Sequence, residues 1–138
     1  MMPLDLEEFI RVMRINALAP AYVAAVFEEH VAASKKRRMV FIGSCSGSIG
    51  DNGAGGHYPY RFSKAALNVV AKSDSIDFVP QGIMAVMMHP GSVATEIRTS
   101  ATGIAVSDSV SGLRSVINGP MLGISGNFPR YDGGEIEW

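Results

Sequence analysis

Apolar residues in this chain follow two patterns: some recur every three or four positions, and others form short unbroken runs. Leu6, Phe9, Ile10, Met13 and Ala17 share one helical face, and the spacing predicts a long helix from Asp5 to Ser34. Asp5 is placed to cap its start, and Glu7 and Glu8 suit its positive end. Met39 to Ser44 (MVFIGS) and Ile83 to Met88 (IMAVMM) are continuous apolar runs, as expected of strands buried on both faces. Between them, Ser46 to His57 is rich in glycine and polar residues and reads as a loop. A second helix is expected from about Tyr58 to Val79. A third opens at Ser107-Asp-Ser, with Val110, Leu113 and Ile117 on one stripe. Gly126 to Tyr131 reads as a last short strand before Asp132-Gly-Gly and the terminal Trp138.

Helix, strand, helix, strand, helix, strand is the order of an α/β fold, a doubly wound parallel sheet covered on both faces with right-handed crossovers. No repeat or linker divides the chain, so residues 1–138 are read as one domain. Ligands in such sheets sit at the carboxyl ends of strands. Ser44 and the Pro90-Gly91 turn fall at two such ends.

Composition narrows the function classes. Apolar residues are 47% and charged residues 18%, so a packed core is expected. A net charge of -1 gives no electrostatic case for nucleic acid or an acidic membrane. The one basic run, Lys35-Lys36-Arg37-Arg38, reads as a solvated helix end. The single cysteine, Cys45, excludes an internal disulfide and suits a reducing, cytoplasmic compartment. It is read as a small buried filler. The acidic start is neither a signal nor a transit peptide, and no apolar run approaches the length of a membrane span, so no span is expected. His57 and His89 have no second ligand at metal spacing, so no metal is assigned.

The candidate chemistry lies in Tyr60-Arg-Phe-Ser-Lys64. On a helix, residues i and i+4 share a face. An ammonium held beside a phenol favours the phenolate and brings its pKa towards neutrality. Such a tyrosine can give or take a proton, which carbonyl reduction and alcohol oxidation both need. Pro20 lies four residues after Asn16 in the first helix. Proline has no N–H, so it frees the carbonyl of residue 16 and a kink is expected there. The glycines at 50, 53, 55 and 56 fit neither dinucleotide nor P-loop spacing and read as a flexible substrate-side loop.

With Asn16, Ser44, Tyr60, Lys64 and Pro90-Gly91 in that order, the chain resembles the short-chain dehydrogenase/reductase family. The likeness extends to Arg14-Ile-Asn-Ala-Leu-Ala-Pro20, Ile42-Gly-Ser-Cys-Ser-Gly47, Ser63-Lys-Ala-Ala-Leu-Asn68, His89-Pro-Gly-Ser-Val-Ala-Thr95 and the ending from Tyr131. The insert from Gly47 to Gly56 resembles the C-factor and sniffer-type carbonyl reductase branch. The resemblance implies an NAD- or NADP-dependent oxidoreductase of small carbonyls or alcohols. It makes Tyr60 the acid/base, and gives Lys64 the role of holding Tyr60 near ionisation and binding the nicotinamide ribose. Ser44, preferred over Ser46 and Ser48, would bond the substrate oxygen, and the Asn16 carbonyl would hold a water connected to the lysine. Pro90 and Gly91 would approach the nicotinamide, and Val93 and Thr95 would bond its carboxamide.

The same resemblance implies that the chain is the C-terminal half of a Rossmann-like sheet, about three strands alternating with helices. The family's opening strand, glycine-rich turn and helix, which bind the cofactor pyrophosphate, have no counterpart here. Cofactor binding is therefore expected to be weak, and the strand at Met39 to Ser44 to lack its inner neighbour. An edge of that kind invites pairing with another chain, so a homo-oligomer is expected. Two readings stand: a truncated form of an oxidoreductase, or a non-catalytic relic whose helices around Asn16 and Tyr60 serve oligomerisation.

Overall fold

The computed structural model describes residues 5–95, 103–120 and 123–138. Residues 1–4, which carry part of the acidic start, lie outside them. Helix α1, Leu6–Met13, is capped by Asp5, whose Oδ1 accepts from the Glu7 and Glu8 N–H groups at 3.0 and 3.2 Å. It runs without a break through a π turn, Arg14–Leu18, into α2, Ala19–Ala33. Strand β1 is Arg38–Ile42, and a short 3₁₀ turn, Cys45–Gly47, follows it. Helix α3 is Tyr58–Asp77, strand β2 is Met84–Met88 and helix α4 is Val106–Asn118.

A π turn stands where the kink is expected. The Ala19 N–H bonds five residues back to the Arg14 carbonyl, widening the helix where Pro20 would otherwise press on the carbonyl of residue 16. The resulting helix, Leu6–Ala33, is long and apolar enough to cross a membrane by length and composition, although no unbroken run in the sequence suggested it. Its apolar residues are spread among small and polar ones, and only 11% of its most apolar window is buried.

β1 and β2 pair in parallel, with Arg38 opposite Met84 and Ile42 opposite Met88. Met39, Phe41, Ala85 and Met87 form the main core with Ala24 of α2 and with Leu67 and Ala71 of α3. Val86 and Met88 face the other way, against Leu113, Val116 and Ile117 of α4. The sheet is thus covered on both faces, as the continuous apolar runs imply.

The expected third strand, Gly126 to Tyr131, is reduced to a bridged segment beside β2. His89 N–H donates to the Pro129 carbonyl and Tyr131 N–H to the His89 carbonyl, both at 2.9 Å. A regular parallel ladder would also draw a bond from residue 129 to the Met87 carbonyl, and Pro129 has no N–H to make it. Gly126, at φ 78°, bends the segment's start. The basic run is only partly a solvated helix end. The Arg38 guanidinium folds onto the Ile117 and Gly119 carbonyls, and Lys36 Nζ reaches Asn118 Oδ1 at 3.0 Å, so both hold the negative end of α4. Cys45 is exposed rather than buried, because the 3₁₀ turn directs it away from the core that Gly47 enters.

Candidate active site

The carboxyl ends of β1 and β2 lie side by side, joined beyond the strands by the Gly43 N–H on the Met88 carbonyl at 2.8 Å. Ser44 leaves β1 at this end, and His89-Pro90-Gly91 leaves β2. Ser44 is half-buried and caps the 3₁₀ turn, its Oγ accepting from the Ser46 N–H at 3.2 Å. Of the rival serines, Ser48 is buried, with its Oγ taken by the Asp51 N–H at 3.0 Å.

Helix α3 brings Tyr60 and Lys64 to the same end, one turn apart as the spacing predicts. Lys64 Nζ lies 5.8 Å from the centroid of the Tyr60 ring. It also donates to the Ile42 carbonyl at 3.3 Å. Burial pushes the Lys64 pKa below its ordinary value. Tyr60 is 41% exposed.

Asn16 joins this group through a residue to which sequence reasoning gave no role. Its Nδ2 donates to Ser63 Oγ at 3.1 Å, and Ser63, fully buried, donates in turn to the Tyr60 carbonyl at 2.8 Å. The π turn is therefore tied to the first turn of α3. Gly47 is a second unforeseen part. A Cβ there would lie 2.7 Å from the Lys64 carbonyl carbon and 2.8 Å from its oxygen, so the turn after Ser44 packs directly on the α3 backbone at Lys64. Arg61 is a third: its guanidinium donates to the Gly55 and Ser46 carbonyls at 3.1 and 3.3 Å and holds the glycine-rich loop against α3. Three successive residues of that loop, Gly55, Gly56 and His57, are left-handed.

The turn after β2 is fixed by α4, where Ser109 Oγ donates to the Pro90 carbonyl at 2.6 Å. Gly91 has φ 83°, and a Cβ there would meet Ile104 at 2.6 Å and the Tyr131 ring at 2.9 Å, so its own turn demands glycine. Val93 pairs with Ile104 across an isolated bridge. Thr95 is exposed at the limit of the described stretch. Asn16, Ser44, Tyr60, Lys64 and Pro90-Gly91 thus gather around one end of the sheet. An apolar hollow elsewhere on α3, lined by Phe62, Val69, Lys72 and Trp138, contains none of them.

A short chain dehydrogenase family profile matches residues 1–103. The chain belongs to the short chain dehydrogenase family. It is 37% identical over 134 residues to "C-signal" of Myxococcus xanthus, covering 97% of this chain and 81% of that protein. It is 31% identical over 139 residues to 1-hydroxy-2-glutathionyl-2-methyl-3-butene dehydrogenase of Rhodococcus sp. (strain AD45), covering 98% of this chain and 61% of that one. Among solved structures, the carbonyl reductase Sniffer of D. melanogaster superposes with a TM-score of 0.90 at 30% identity, over 100% of this chain and 60% of that chain. An NADPH-bound carbonyl reductase from chicken fatty liver gives 0.89 at 28%, over 98% and 59%. The chain therefore spans about three-fifths of the dehydrogenase and reductase relatives it matches.

Proposed function

We propose that this short chain dehydrogenase site serves oxidoreduction of a small carbonyl or alcohol, with Tyr60 as acid/base. The observation that carries the reading is the Lys64 ammonium held 5.8 Å from the Tyr60 ring at the carboxyl ends of the paired strands. In the reducing direction, Tyr60 Oη gives its proton to the carbonyl oxygen while Ser44 Oγ donates a hydrogen bond to the same oxygen. Lys64 favours the phenolate that remains. The Asn16–Ser63–Tyr60 chain keeps the first turn of α3 in place during that change.

The residues present fit the nicotinamide end of NAD or NADP. The Lys64 ammonium has three donors and gives one to a described residue, which leaves donors for ribose hydroxyls. When bound, the nicotinamide supplies or accepts the hydride. Pro90, Gly91, Val93 and Thr95 form the backbone that would lie along it. In the dehydrogenase and reductase relatives about two-fifths of the length lies outside the part that this chain matches. A cytoplasmic location remains part of the proposal.

A second reading, a non-catalytic relic that self-associates, draws support from the apolar side chains left exposed on α2 and α3, among them Tyr22, Phe27, Phe62 and Val69. The two readings part on one experiment. NADPH should slow the acetylation of Lys64 and leave that of Lys72 unchanged. Equal acetylation of Lys64 with and without nucleotide would refute the oxidoreductase reading.

A further inference from the structure

Arg61 follows Tyr60 in α3, and its half-buried side chain reaches two separate segments. Nη1 donates to the Ser46 carbonyl at 3.3 Å and Nε to the Gly55 carbonyl at 3.1 Å. No carboxylate pairs with it among the described residues, so the guanidinium serves main-chain oxygens. It borders a hollow of about 220 Å³ between the turn after Ser44, the glycine-rich loop and α3.

Ser46 carries the effect into the site. Its N–H donates to Ser44 Oγ at 3.2 Å, and its carbonyl takes Arg61. Residue 46 is thus held on one side by the serine of the site and on the other by the helix that bears Tyr60. The 3₁₀ turn itself offers little: the Gly47 N–H on the Ser44 carbonyl at 2.8 Å and the Ser48 N–H on the Cys45 carbonyl at 3.0 Å. So short a turn is marginal without outside support. The Ser46 N–H fills one acceptor position of Ser44 Oγ and leaves the hydroxyl proton free to donate elsewhere. The loop hangs on the same side chain. A Cβ at Gly53, Gly55 or Gly56 would meet no atom within 4 Å, so the loop stands off the body there. Its other bonds are internal, such as the Gly55 N–H on Asn52 Oδ1 at 3.0 Å.

We propose that Arg61 is a positioning residue, acting through Ser46 to aim the Ser44 hydroxyl at the substrate oxygen that Tyr60 protonates. The inference rests on the oxidoreductase reading above. Asn16 and Ser63 hold the turn that bears Tyr60, and Arg61 and Ser46 hold the turn that bears Ser44. The planar guanidinium suits this work, because its donors lie at fixed angles and meet two carbonyls at once. An ammonium has the charge without the fork.

Hydrogen exchange at the Ser46 amide reads the bond to Ser44 without turnover. In Arg61→Ala that amide should exchange about fivefold or more faster than in the native chain, with exchange at Val86, in the middle of β2, unchanged. Millimolar guanidinium should restore slow exchange by entering the vacated hollow, and ammonium should not. Arg61→Lys should behave as Arg61→Ala does, and it serves if the alanine variant fails to fold. With 4-deuterated NADPH and a carbonyl compound, Arg61→Ala should lower kcat about tenfold and leave the KM for NADPH near its native value. In a Ser44→Ala background the same change should cost less than about twofold, since its effect passes through Ser44. Unchanged exchange at Ser46, or equal losses of kcat in the two backgrounds, would overturn the proposal. A native chain that transfers no deuterium would count against the oxidoreductase reading, and exchange at Ser46 would still decide whether Arg61 holds Ser44.

Discussion

Replacing Asp74 with asparagine should stabilise the protein at neutral pH and have little effect below about pH 4. Asp74 lies on α3, half-buried, and its Oδ2 has no hydrogen-bond partner among the described residues. Burial raises its pKa first, then the nearby carboxylates of Asp77 and Glu28, from 3.8 to about 6. Glu28 is itself held in place by Gln81 Nε2 at 2.7 Å. The folded pKa lies above the unfolded one, so the folded state holds the proton more tightly. Below the unfolded value both states are protonated and no penalty exists. The penalty grows as pH rises through the window from about 4 to 6, and is constant above it. Two pKa units correspond to about 3 kcal/mol at full value, and the partial exposure of the side chain reduces this to about 1 kcal/mol. The assay is urea unfolding of native protein and Asp74→Asn at pH 4 and 7.5, at one fixed protein concentration so that any association is held constant. The variant should gain about 1 kcal/mol at pH 7.5 and almost nothing at pH 4. An equal difference at both pH values, or a less stable variant at pH 7.5, would refute the reasoning.

Two further predictions concern the site. Gly47→Ala drives a Cβ to within 2.8 Å of the Lys64 backbone and should cost about 2 kcal/mol or more in urea unfolding; a loss under about 0.5 kcal/mol would mean that the turn after Ser44 is not packed on α3. Lys64→Met should move the apparent pKa of alcohol oxidation upward and weaken nicotinamide binding, because the phenolate loses its cation, and an unchanged pH–rate profile would argue that Lys64 serves only the Ile42 carbonyl.

What the sequence revealed, and what it concealed, follows from the range of each interaction. Helical spacing and apolar runs are local, and they located α1 through α4 and both paired strands. The i, i+4 placement of Tyr60 and Lys64 is equally local, and the structure realises it. The Asn16–Ser63 bond and the packing of Gly47 on Lys64 join distant segments, and nothing in the local pattern signals them. Pro20 announced a disturbance near Asn16, yet not that a π turn would absorb it. Pro129 was a visible warning against a regular third strand. The run Lys35 to Arg38 looked solvated because its acceptors, the last carbonyls of α4, lie some eighty residues away in the chain.

The central claim is that Tyr60 moves the proton in a hydride transfer at this site. Its most direct test is deuterium transfer from 4-deuterated NADPH to a carbonyl compound, read by mass spectrometry of the alcohol, at high nucleotide concentration. The account predicts labelled alcohol from the native chain and less than about a tenth of that rate from Tyr60→Phe, with the nucleotide's protection of Lys64 retained. No label from the native chain, or equal labelling by Tyr60→Phe, would contradict it.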